Sequence, residues 1–147
     1  MASIHQFQKR AEQIKPSQVR SDLFDFIRSI EKELAAYNQA TIFEDSKDVK
    51  GKSIGFYSKA TELITGGEKK AGDPFTLKDT GDFLEGIFAK VRGRTIFFDT
   101  TDSKKNEVLK NLLTDDIFGL QDDDLKRAID TRMLPFLLKY YRKRLNI

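Results

Sequence analysis

The chain has 147 residues, a net charge of +3 and no cysteine. This length predicts one domain, and the missing cysteines exclude disulfides and thiolate metal sites. No apolar run is long enough for a membrane span and no signal-peptide pattern opens the sequence, so we predict no membrane partner. The small net charge does not by itself indicate nucleic acid.

Residues 1–44 are predicted to be helical. The first predicted helix, residues 3–15, has one apolar stripe: Ile4, Phe7, Ala11 and Ile14. Pro16 ends it, because the residue before a proline disfavours the helical region. A second helix, residues 16–41, has an apolar face with spacings of three and four: Leu23, Ile27, Ile30, Leu34 and Tyr37. This period predicts a helix packed against the core.

Residues 45–78 lose the helical period and predict an irregular basic loop. Ser53–Tyr57 alternates loosely between polar and apolar residues and is compatible with a short strand. A glycine-bounded stretch from Thr65 to Gly72 carries Lys69 and Lys70. Long irregular loops are uncommon in compact domains unless they have a function, such as reaching a partner.

A turn and a β-hairpin are predicted over residues 79–101. The strands are residues 83–91 and 95–100, joined at Gly93, with the alternative that the first segment begins as a helical turn. Residues 102–147 then predict C-terminal helices. The first is capped by Asp102 or Ser103 and ends near residue 113. The second covers about residues 122–144 and is kinked at Pro135.

The predicted fold class is therefore α+β. N-terminal helices and a long C-terminal helix pack on a small antiparallel sheet, and a long polar loop joins them. The whole chain, residues 1–147, forms one predicted domain.

The stretch around Asp79-Thr80-Gly81 is the short signature that points to function. Taken literally it is the triplet of aspartic proteases, whose chemistry needs two carboxylates sharing one proton, supplied in small enzymes by a dimer. The flanking charges of Lys78 and Asp82 disfavour that dyad. A dimeric aspartic protease is thus the less favoured alternative.

Three other patterns have simpler explanations. Gly67 and Gly72 have the spacing of a phosphate-binding loop, but Asp73-Pro74 replaces the required Lys-Ser/Thr. The three aspartates at 122–124 point in different directions on a helix and are predicted to stabilise its N-terminus. His5 is the sole histidine, so no histidine metal set exists. We predict no cofactor and no metal.

The basic segment at residues 139–144 mixes cations with two tyrosines. This mixture is compatible with contact to nucleic acid, and a nucleic-acid-binding accessory protein is the main alternative function. A basic last turn also complements the helix dipole, which is its ordinary role.

The order of features resembles the phage virion-morphogenesis and tail-completion (neck, head-tail joining) family. Its signature is Asp-Thr-Gly-x-Leu followed by an apolar strand, often after a basic loop. Here Asp79, Thr80 and Gly81 match, and Phe83 stands in the leucine position. Lys69 and Phe75 belong to the preceding stretch, which fits the basic loop. The match covers about 25 residues by the signature and its flanks.

This resemblance implies a non-enzymatic structural protein that forms a homo-oligomeric ring in the neck or tail of a tailed phage. Its implied partners are copies of itself, other phage neck, tail or portal proteins, and packaged DNA. Its implied location is the virion, after assembly in the cytoplasm of the bacterial host. The implied subunit or partner interface consists of Lys69, Lys70, Phe75, Asp79, Thr80, Gly81 and Phe83.

Overall fold

The structure is a computed structural model that describes residues 3–77 and 82–147. It has the predicted α+β class, with helices packed around a two-stranded antiparallel sheet. None of the described helices has the length and apolarity that crossing a membrane requires. In chain order the elements are α1 (Ile4–Glu12), α2 (Pro16–Ser29), α3 (Glu31–Asp45), α4 (Lys59–Ile64), α5 (Asp82–Glu85), β1 (Ile87–Arg92), β2 (Thr95–Thr100), α6 (Lys105–Lys110), α7 (Asp122–Ala128) and α8 (Leu134–Leu145).

The first helix forms where it was predicted. Ser3 caps it: its hydroxyl accepts from the Gln6 N–H at 3.2 Å, and the Gln6 side chain accepts from the Ser3 N–H at 3.0 Å. Its apolar stripe is not a core face, however, because Ile4 is 83% exposed and Phe7 is 41% exposed. The helix contacts α8, where the Arg10 guanidinium donates to the Leu145 carbonyl at 3.3 Å.

The predicted continuous helix over residues 16–41 is wrong, because α2 and α3 are separated at Ile30. That residue leaves the helical region (φ −114°, ψ 15°) and its N–H donates to the Ile27 carbonyl at 3.0 Å. Ile30 is nevertheless buried, as are Ile27 and Leu34 on the predicted face. The bend lets α2 contact α8 as well as β1, while α3 packs along β1.

The hairpin has the predicted second strand and a shorter first one. Ile87 pairs with Thr100 and Arg92 with Thr95, so the connection is the two-residue turn Gly93-Arg94. Gly93 has φ 61°, which glycine adopts without strain. The chain before Ile87 is helical (α5), so the first strand starts four residues later than the predicted residue 83. The helical-turn alternative is therefore the correct one.

Two apolar clusters make up the core. One joins α2, α3 and the sheet to the C-terminal helices, and the other joins Ile54, Phe83, Leu84 and Ile117 to Ile42 of α3 and Ile87 of β1, with side chains of α6 packed against it. In the first cluster β1 buries Ala89 and Val91 while exposing Lys90 and Arg92, the alternation expected of a sheet with one solvent face.

The long C-terminal helix is present, and its irregularity lies just before the predicted site. Residues Ile129–Met133 form a π-helical turn, after which the Leu134 N–H donates to the Ile129 carbonyl. Pro135 has no N–H to give, so the widened turn before it accommodates the missing bond. Phe136 stacks on Phe26 with a centroid distance of 4.5 Å. The Tyr140 hydroxyl donates to Asp22 at 2.8 Å, which fastens α8 to α2.

Residues 45–77 contain more regular structure than the predicted loop. Ser53 and Phe56 make isolated bridges to Lys47 and Pro74, rather than the predicted short strand, and α4 lies between Phe56 and Pro74. The segment is anchored by Asp48, which is 1% exposed. Its carboxylate accepts from Lys50 N–H at 2.9 Å, Lys52 N–H at 2.7 Å and the Thr114 hydroxyl at 2.9 Å.

Burial alone would raise the pKa of the Asp48 carboxyl. The hydrogen bonds from the Lys52 N–H, the Thr114 hydroxyl and the Lys50 N–H together outweigh burial and hold that pKa below its ordinary value of 3.8. The ionised form of Asp48 therefore stabilises the fold.

Asp48→Asn should lower the free energy of unfolding at neutral pH by about 1–3 kcal/mol, because charge-assisted hydrogen bonds are lost. A depressed folded pKa contributes stability that is complete above the ordinary value of 3.8 and is lost as pH falls through the folded value. Urea unfolding of the two proteins should thus give stabilities that converge as the solution is acidified. Asp115→Asn, at an exposed position, is the control. A constant difference down to strong acid would contradict this role for the charge.

Candidate functional site

A cleft of about 520 Å³ opens between residues 56–77 and α6. Its apolar walls come from two sides of the molecule, with Phe56, Phe75 and Phe83 on one and Val108 and Leu112 on the other. Its volume falls in the range of sites that bury a ligand or an inserted side chain. We refer to it as the aromatic cleft.

Backbone hydrogen bonds between residues 55–57 and residues 72–75 position the aromatic wall of the cleft. The Phe75 N–H donates to the Gly55 carbonyl at 3.0 Å, and the Tyr57 N–H donates to the Asp73 carbonyl at 2.9 Å. The Gly72 N–H in turn donates to the Tyr57 carbonyl at 2.9 Å. These bonds close the base of residues 58–72, which we call the arm.

Gly55 is required for the position of Phe75. It has φ 133°, and a Cβ added there would lie 2.5 Å from Cε2 of Phe75. The Phe75 ring also packs edge-on against Tyr57 at 4.9 Å between centroids. The Tyr57 hydroxyl accepts from the Thr76 N–H at 3.4 Å. Backbone and ring contacts together hold the aromatic wall in one orientation.

The arm is a small folded unit with an apolar tip. Ser58 caps α4 by accepting from the Thr61 N–H at 3.2 Å, and Glu62 accepts from the Ala71 N–H at 3.1 Å. Leu63 and Ile64, at the end of α4, are 82% and 86% exposed. These two adjacent aliphatic residues form a small exposed apolar patch.

The structure brings three of the predicted interface residues to one place. Lys69, Phe75 and Phe83 all line the aromatic cleft, and the Lys69 ammonium lies 5.4 Å from the centre of the Tyr57 ring. Lys70 is exposed on the arm. Phe83 is only 4% exposed and lies 6.0 Å from Phe118, so most of its contacts are with the core.

The signature triplet Asp79, Thr80 and Gly81 lies outside the described residues. The predicted interface is therefore described only at Lys69, Lys70, Phe75 and Phe83. The dimeric-protease interpretation depends on Asp79 and gains no support from these four residues.

Sequence reasoning missed the residues that give the site its shape. Leu63 and Ile64 stand together in an otherwise polar loop, and Ser58 is a residue type favoured at a helix N-cap. Those two signals could have predicted a short helix with an apolar end. Val108 and Leu112 fall within the helix predicted to end near residue 113, but their place on the same cleft as Phe75 depends on long-range packing.

The basic C-terminal segment is partly engaged within the fold. The Arg144 guanidinium lies 3.6 Å from the Asp22 carboxylate and 5.0 Å from the centre of the Tyr140 ring. Burial, followed by the bond to Asp22, raises the pKa of Tyr140. Arg142 and Lys143 remain exposed. The segment thus fastens α8, while part of its charge faces solvent.

Within residues 3–77 and 82–147, no group of three or more His, Cys, Asp or Glu side chains could hold a metal ion. The Asp102 carboxylate at the rim accepts from the Lys104 N–H at 3.1 Å. The chain matches no protein-family model, no curated protein and no solved structure.

Gly55→Ala should move the Phe75 ring and open the aromatic wall, because the added methyl would overlap that ring. We expect a loss of about 1–3 kcal/mol in unfolding free energy and a changed near-ultraviolet circular dichroism spectrum. Gly72→Ala is the matched control, since Gly72 also has positive φ (86°) but its added Cβ would meet open space in the described part of the chain. Equal spectra and equal losses in the two variants would contradict a specific Gly55–Phe75 contact.

Proposed function

We propose that the protein is a non-enzymatic structural subunit of a tailed-phage virion. It would form a homo-oligomeric ring in the neck or tail, acting in head-tail joining or tail completion. The phage part of the proposal is supported by the resemblance carried by Asp79, Thr80, Gly81 and Phe83. The ring part is supported by one observation: a single chain carries both an exposed apolar arm tip and an open apolar cleft.

In the proposed contact, Leu63 and Ile64 of one subunit enter the aromatic cleft of the next. Ser58 and Thr61 already form part of the wall of their own cleft, whereas the tip two or three residues further on extends into solvent. The contact is heterologous, so every added subunit offers a new cleft or a new arm. Such contacts close into a ring when the rotation between subunits permits it.

The expected free energy of one contact indicates that a ring forms only when several contacts act together. Full burial of Leu63 and Ile64 stabilises the contact by about 1.5–3 kcal/mol for each side chain. Association costs an estimated 4–15 kcal/mol, which largely offsets this gain. Two subunits alone should therefore bind weakly. A closed ring, or a ring seated on other virion proteins, links several weak contacts and raises the effective concentration of each.

Replacing both Leu63 and Ile64 by Ser should abolish self-association, because the apolar surface that the cleft would cover is lost. Sedimentation velocity over rising protein concentration measures the effect. Leu113→Ser is the matched control, since Leu113 is 72% exposed but lies outside the arm. Self-association that survives the arm substitutions, or that is lost equally in the control, would contradict the proposed contact.

Quantitative mass spectrometry of density-purified phage particles from the source culture tests the virion assignment separately. Several to a few dozen copies per particle are expected of a ring component. A chain abundant in infected cells and missing from particles would overturn the virion role. The arm contact would then still stand or fall by sedimentation.

A further inference from the structure

A second cleft, of about 210 Å³, lies between α2 and the turn of the hairpin. One face of α2 lines it with Ser17, Arg20, Ser21 and Arg28, and Arg94 faces them from the turn. Residues 17, 20, 21 and 28 share this face because they are separated by three, four or eleven positions, close to whole helical turns. We call this the arginine cleft.

The donors around the arginine cleft are largely unused. Arg28 forms an ion pair with Asp25 at 2.5 Å. Arg20 and Arg94 are exposed and make no ion pair with any described residue. The hydroxyls of Ser17 and Ser21 likewise make no hydrogen bond to the described part of the chain. Two free guanidinium groups and two free hydroxyls thus surround one small cavity.

This set of donors fits a phosphate group better than a carboxylate. One guanidinium can already satisfy both oxygens of a carboxylate through a bidentate pair. Arg20 and Arg94 together with the serine hydroxyls offer more donors than that, and a phosphate group provides more acceptor oxygens. Arginine is also the residue whose planar fork matches phosphate oxygens best.

The charge extends beyond what a single phosphate could use. Arg20 and Arg28 are eight positions apart, which is about 12 Å along a helix. On the hairpin, Lys90 and Arg92 are exposed on the face of β1 opposite to the one that packs against α2, so the cations around the cleft are Arg20, Arg28 and Arg94. Cations spread over this length fit successive phosphates of one backbone.

We propose that the arginine cleft binds the sugar-phosphate backbone of nucleic acid, without reading its sequence. Contacts to phosphates carry no sequence information directly. The site is separate from the aromatic cleft and does not rest on the proposed ring. It also differs from the C-terminal cations considered from the sequence.

Fluorescence anisotropy with a short fluorescein-labelled DNA duplex tests the site, using the full chain at about 50 and 200 mM salt, where phosphate contacts are most easily distinguished. Replacing both Arg20 and Arg94 by Gln should weaken binding about tenfold or more and reduce the salt slope by about two phosphate contacts. Replacing both by Lys keeps the charge and should restore most of the salt slope. The matched control replaces Arg142 and Lys143 by Gln, which removes the same charge elsewhere.

The outcomes separate the sources of phosphate. Loss in the Arg20/Arg94 variant with the control unaffected supports a nucleic-acid site. If the wild-type chain ignores duplex but inorganic phosphate shifts its amide resonances near Arg20, and the Gln variant abolishes the shift, a free phosphate is the ligand and the nucleic-acid proposal is overturned. Equal losses in both variants, or loss in the control alone, overturn it as well. Failure of the wild-type chain to bind either the duplex or inorganic phosphate also overturns the nucleic-acid proposal. Thermal unfolding by circular dichroism checks that the variants are folded.

Discussion

The buried Asp48 carboxylate connects the loop after α3 to the segment that follows α6. Asp48 receives the N–H groups of Lys50 and Lys52 on its own loop and the hydroxyl of Thr114 from the segment after α6. Its backbone carbonyl accepts from the Gln121 side chain at 3.0 Å. A charge in this position would be costly without such partners. With them, it fixes the start of the long loop against the segment that leads into α7.

A second buried polar residue, Asn38, acts on the same segment from α3. Its amide donates to the Ile117 carbonyl at 2.7 Å, and its oxygen accepts from the Gly119 N–H at 3.2 Å. The loop after α6 is therefore held from two directions. Because α6 forms one wall of the aromatic cleft, these buried bonds also determine where that wall lies. The arm and the cleft are thus local features that depend on polar anchors some distance away.

The parts of the fold set by local pattern were predictable. The apolar face of α2 and α3, the strand Thr95–Thr100 and the basic end of α8 all follow from spacing and propensity. The break at Ile30 was not predictable, because no glycine or proline marks it. The burial of side chains on both sides of Ile30 determines where α2 ends. The apolar stripe of α1 illustrates a related point: helical spacing shows that residues share a face, but it does not show that another surface covers them.

The candidate site could be predicted only in outline. Lys69, Phe75 and Phe83 were selected from a short resemblance, and they do line one cleft. Asp48 was interpreted as part of a charged loop, although an aspartate three positions before Gly51 is a turn pattern that could have drawn attention to it. Phe75 and Leu112 line one cleft, and Arg20 and Arg94 line the other, although the two residues of each set are distant in sequence. No spacing rule predicts such pairs from one chain.

In the proposed ring the arm of one subunit occupies the aromatic cleft of another, and cysteine cross-linking tests this contact most directly. The natural chain has no cysteine, so Ile64→Cys together with Leu112→Cys introduces one defined pair. Mild oxidation at high protein concentration should give a ladder of disulfide-linked oligomers that reducing agent collapses, while Ile4→Cys with Leu112→Cys stays near background. A mixture of the two single variants should give the mixed dimer. A double variant that remains monomeric, or that links only position 64 to position 64, would contradict the contact between arm and cleft.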